Sequence, residues 1–140
     1  MAVAIRFIAC LLVVISFAAC SGKVRHDFGG GGSDADVQIL RDCPAVELSI
    51  WDGAVVFDLR DYDQWTQGHI SGARQITLQD LERGRGLPDD KDAPVLFMAD
   101  GPMDTRAEQA ADIALKRGHN DVQLFPGGWR MWIGAHPVGE

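Results

Sequence analysis

The chain has 140 residues, enough for one domain around one core. With 46% hydrophobic and 24% charged residues, its composition is that of an ordinary globular protein and excludes a disordered chain. A formal net charge of −7 argues against a nucleic-acid partner, because phosphate recognition needs basic patches; the acidic balance reads as a solubility feature.

MAVAIRFIACLLVVISFAAC opens the chain with one arginine, an apolar run from Phe7 to Phe17, and then small residues. A bilayer span takes about 20 apolar residues, so the run is short for one and reads as a secretory signal. Phe17 stands where a plain A-x-A cleavage site wants a small side chain. FAAC followed by SG instead resembles the lipobox of bacterial lipoproteins, with Phe where Leu is usual. That resemblance implies that residues 1–19 are removed and that Cys20 becomes the first mature residue, lipidated on its sulfur and amine. Several acyl chains anchor stably where one binds only marginally. The expected location is the bacterial cell envelope, lipid-anchored and facing the periplasm. Ser21, not being Asp, resembles the outer-membrane sorting pattern of cells that have such a membrane. FGGGGSDAD, Phe28 to Asp36, offers four glycines and a serine with nothing to pack. Residues 20–36 therefore read as the attachment cysteine and a flexible tether, and residues 37–140 as the globular domain.

Once Cys20 is lipidated, Cys43 is the mature chain's remaining thiol. A lone thiol in an oxidising compartment is buried, pairs with another molecule, or is reactive, and the sequence leaves these open. Asp42 and Glu47 beside it do not favour a low thiolate pKa. AVVFDLR, Ala54 to Arg60, is a near-continuous apolar run ending in charge, the pattern of a buried parallel strand. Asp61 with Gln64 forms a capping box for a short helix carrying Trp65, which Gly68 is expected to stop in the left-handed conformation. GHISGA from Gly68 is a turn, RQITL a short strand, LQDLERG a helical turn, and GLPDDKDA a polar loop.

PVLFM, Pro94 to Met98, is a second buried strand, and ADGPMD is the loop after it. Thr105 and Glu108 read as a second capping box, with Asp104 adding negative charge at the helix start. Ala107, Ala110, Ala111 and Ala114 then form a thin helical face that can lie close on a sheet. Lys116 and Arg117 suit the helix C-terminus, and Gly118 ends it. DVQLF is a third strand, and PGGWRMW turns into a terminal helix in which Trp132 is expected to be core, as is Trp65 earlier. Strands alternating with helices predict an α/β sandwich on a mostly parallel sheet. His26, His119 and His136 do not group with any cysteine or close acid pair, so spacing argues for no metal site and no cofactor.

Several of these words, in this order, resemble a single rhodanese domain. DLR from Asp58 to Arg60 resembles the family's strand-end D-x-R. GHISGA resembles its GHIPGA turn, with Ser71 for Pro. PGGWRMW resembles its glycine-pair and tryptophan motif, and HPV from His136 to Val138 its closing LPV. The resemblance implies a three-layer sandwich with helices on both faces of the sheet. It also implies a loop after the central strand whose cysteine takes a sulfane sulfur as a persulfide and passes it on. A turn of backbone amides and a helix dipole lower that thiol's pKa, and the thiolate is the attacking form.

Counted from the strand, Met98 takes the cysteine's place; counted back from Arg106 and Gly118, Gly101 does. A thioether has no proton to lose and forms no persulfide. No Cys, Ser or His lies between Met98 and Arg106, which leaves Asp100, Asp104 and Thr105 as nucleophiles, and the last two read better as caps. Arg106 matches the family's loop arginine and either holds an anion or pairs with Asp104, Asp58 or a carbonyl. Asp58, Arg60 and His69 are expected to support the loop structurally. Met98 and Met103 either give an adaptable ligand surface or fill vacated space. The expectation is a rhodanese-like binding module, inactive as a sulfurtransferase, with a small anion or a protein as partner. The alternatives are sulfur transfer through Cys43, or a phosphatase-like enzyme with a long loop.

Overall fold

The computed structural model describes residues 36–137. The signal segment, Cys20, the glycine-rich tether up to residue 35 and Val138 lie outside the described residues. Among the described ones the chain forms β1 (Gln38–Ile39), α1 (Cys43–Trp51), β2 (Val55–Asp58), α2 (Tyr62–Gln67), β3 (Arg74–Gln75), α3 (Leu78–Glu82), β4 (Val95–Met98), α4 (Arg106–Lys116), β5 (Val122–Phe125) and α5 (Gly128–Ala135). β1 and α1 were not foreseen. Asp42 caps α1 by accepting the Ala45 amide at 2.9 Å, and Pro44 sits in its first turn, where no amide partner is needed.

The five strands run parallel in the order β1-β5-β4-β2-β3. β4 is central, and all its residues are buried. A strand buried on both faces alternates its side chains between two cores. Val95 and Phe97 join Phe57, Val122, Leu124 and the alanines of α4 on one face. Leu96 and Met98 join Leu40, Cys43, Val46, Ile70 and Phe125 on the other, with Trp129 and Trp132 packed against them. This is an α/β three-layer sandwich, with α3 and α4 over one face of the sheet and α1 and α5 over the other. Phe57 and Phe97 stack at 5.4 Å in the first core. Each such ring contributes roughly 1.5–3 kcal/mol by burial.

Three local expectations are corrected. Gly68 closes α2 at φ 161°, ψ 141°, an extended backbone rather than a left-handed one. Its missing Cβ matters for space: one placed there would meet the Trp129 ring at 3.0 Å. Thr105 makes no side-chain cap to α4. Asp104 supplies it, accepting the Arg106 amide at 3.2 Å, while the Thr105 hydroxyl accepts from Gln109 Nε2. Trp65 and Trp132 are half-buried at the margins, not core. The Asp61–Gln64 capping box is present, with Gln64 Oε1 accepting the Asp61 amide at 3.3 Å.

Candidate functional site

Parallel α/β sheets present their ligand-facing loops beyond the carboxyl ends of the strands. Here that end is shared by Asp58 of β2 and Met98 of β4, which are register partners. The alternation within β4 decides where Met98 goes. It is fully buried in the core beneath α1 and α5, so its thioether is not on the loop. Ala99 is the first residue to leave the strand; with Gly101 and Asp104 it lines a small void beneath the loop.

The loop is held by backbone against the start of α5. The Ala99 carbonyl accepts from the Trp129 amide at 2.9 Å, and the Asp100 carbonyl accepts from Arg130 at 3.0 Å. Gly128 makes this approach possible. Its φ is +57°, and a Cβ there would sit 2.4 Å from the Ala99 oxygen. Arg130 Nε adds an ion pair to Asp100 at 2.7 Å. Sequence reasoning missed Ala99 and Arg130; the glycine pair ahead of Trp129 was the available signal.

Asp104 and Arg106 form the loop's second half. The Asp104 carboxylate accepts from Arg106 Nε at 2.9 Å and from its second fork nitrogen at 2.7 Å, and also faces the Asp100 amide at 3.4 Å. Arg106's other fork nitrogen reaches Asp61 at 3.0 Å. These donors hold the Asp104 carboxyl below the usual carboxylate range, and the two acids raise the Arg106 guanidinium. Asp58 does not join this pair. It binds Arg60 through both oxygens, at 2.6 Å in the shortest contact, with both side chains almost fully buried. Arg60 also donates to the Gly68 carbonyl at 2.8 Å and lies 4.5 Å over the Trp129 ring. The D-x-R pair thus ties β2 to the GHISGA turn and to α5. His69 is exposed, stacked on Trp65 at 4.1 Å, with Nδ1 on the Trp65 carbonyl at 2.9 Å. Met103 projects from the loop tip, 94% exposed.

Cys43 is brought into neither half. It begins α1, is buried, and directs Sγ to the Met131 carbonyl at 3.7 Å. Burial pushes the thiol's pKa up, and Glu47 and Asp42 push it further.

The chain thus presents a five-stranded parallel sheet between two helical layers, with an arginine-bearing loop beyond its central strand. The chain belongs to the rhodanese-like domain family, whose profile matches residues 44–135. It is 34% identical over 97 residues to the thiosulfate sulfurtransferase GlpE of Pseudomonas putida GB-1, covering 67% of this chain and 83% of that protein. Among solved structures, it resembles the human single-domain sulfurtransferase TSTD1 with a TM-score of 0.58 at 20% identity, covering 70% of this chain and 95% of that one. A protein of unknown function from Rhodopseudomonas palustris, described as a possible tyrosine phosphatase, gives 0.59 at 25% identity, over 74% of this chain and 85% of that one.

Proposed function

We propose that this chain is a rhodanese-like binding module that does not carry sulfur as a persulfide. One observation carries the reading: the loop from Ala99 to Arg106 holds no thiol, and Cys43, the thiol among the described residues, is sealed beneath α5. Persulfide formation needs an accessible thiolate, and both burial and neighbouring carboxylates act against one at Cys43. The loop offers a partner the exposed Met103, Pro102 and the Arg130–Asp100 pair. Because Asp104 already engages Arg106, a protein surface suits this loop better than a small anion does.

The test is sulfur transfer from thiosulfate to cyanide. The purified protein is expected to form no thiocyanate above a heat-denatured control. Turnover that disappears in Cys43→Ser would overturn the reading in favour of sulfur transfer through Cys43; the similarity to thiosulfate sulfurtransferases supports sulfur transfer in general without pointing to that thiol. We also propose that Cys20 anchors the module in the cell envelope, supported by the FAAC sequence and the glycine-rich tether. Cys20→Ser is expected to abolish lipid labelling and membrane fractionation; a variant still found in membranes would exclude this anchor.

A further inference from the structure

We propose that Asp104 is the loop's own anion, and that it closes the loop to any other negative charge, so the missing cysteine is not all that silences it. The inference rests on the non-persulfide reading above and deepens it. Its basis is where the carboxylate sits. Asp104 faces the Asp100 amide, the first donor after Ala99, at 3.4 Å, and takes the Arg106 amide at 3.2 Å. It also occupies one edge of the Arg106 guanidinium, at 2.7 and 2.9 Å. A guanidinium edge satisfied bidentately by one carboxylate is not available to a second anion. The remaining fork nitrogen is taken by Asp61.

Ala99 and Asp104 line the same small void. A thiolate or persulfide at position 99 would therefore meet a fixed carboxylate instead of free amides and a free guanidinium, and like charge disfavours ionisation. Asp104 is only partly exposed, so solvent screens this repulsion incompletely. The chemistry that the family draws from its loop is here spent on an internal ion pair.

Asp104 also caps α4, so loss of stability in an Asp104 variant says nothing about this role. The deciding readout is the reactivity of a thiol introduced at position 99. Full-length Ala99→Cys, Ala99→Cys/Asp104→Asn and Ala99→Cys/Asp104→Gly would be alkylated with iodoacetamide across pH 5–9, with modification mapped to residue 99 by mass spectrometry. Ala99→Cys alone is expected to react at pH 7 no faster than free cysteine. Both double variants should react faster, by about tenfold for Asp104→Gly, as a thiol pKa about one unit lower requires. Asparagine keeps the shape and an acceptor, so that variant decides the matter if the glycine variant does not fold. A single variant as reactive as the doubles overturns the inference, as does a double no faster than the single. Neither result touches the thiocyanate assay of the wild-type chain, so the two readings fail separately.

Discussion

At the scale of single residues, the buried Asp58–Arg60 pair shows how a sequence motif ties elements together. Two charges removed from water are tolerable only when each satisfies the other and the leftover hydrogen-bonding groups find partners. Here Arg60 finds Asp58, the Gly68 carbonyl and the Trp129 face, and its own carbonyl accepts from Gln75 at 3.0 Å. Arg60→Met strands a buried carboxylate and is expected to cost about 3–5 kcal/mol. Replacing both partners together, as Asp58→Leu/Arg60→Met, is expected to cost less than the two single changes summed, because no charge is left unpaired. Urea titrations of the three variants measure this directly. Additive losses would mean that the two side chains act independently, contrary to the geometry.

At the scale of elements, four of the five strands were legible and the loop was not. β2, β4 and β5 announce themselves as short apolar runs, and the alanine face of α4 announces a helix lying close on a sheet. α1 escaped because its apolar residues do not keep to one face: Leu48 and Trp51 are 61% and 85% exposed beside buried Val46. β1 is two residues long and exists only because β5 is there to pair with it. The position of Met98 turned on one step of alternation, since a strand buried on both sides gives no polar marker of which face a residue takes. Arg106 had Asp104 and Asp58 as candidate partners, and Asp61, 45 positions away, entered only through the fold. The glycine pair before Trp129 was visible as a motif, but its purpose was not. Gly128→Ala drives a methyl into the Ala99 carbonyl and into backbone atoms of Asp100 and Gly101, at 2.4–2.9 Å. It is therefore expected to cost at least about 2 kcal/mol, above the backbone penalty alone. Gly53→Ala is the control. Its φ is +96° but a methyl there meets nothing within 4 Å, so it should cost only about 1 kcal/mol. Equal losses in thermal or urea unfolding would mean that the loop yields to the methyl.

At the scale of the whole molecule, three buried or held groups are expected to shape how stability depends on pH. His119 is fully buried, with Nε2 3.1 Å from Lys91 Nζ and Nδ1 without a partner. Burial first, and then the Lys91 charge, lower its pKa, although Asp90 opposes them. A histidine kept neutral by the fold is protonated more readily in the unfolded chain, so stability falls as pH drops below about 6.5, the ordinary histidine value. Asp104 is held ionised chiefly by Arg106, so the stability it contributes is present above the ordinary carboxylate value of about 3.9 and is lost as pH falls below that. Cys43 works at the other end. Its raised pKa means that the unfolded chain loses the thiol proton first, so stability declines as pH rises above about 8.5. The expected profile is a plateau between roughly pH 6.5 and 8.5, a first acid shoulder from His119 and a second from Asp104. His119→Phe replaces the titrating ring with an apolar one, and should remove the first shoulder while leaving the second and the alkaline decline in place. Cys43→Ala should flatten only the alkaline limb. Thermal midpoints measured from pH 3 to 10 on the three proteins separate these contributions. A first shoulder that survives His119→Phe would assign it to another group.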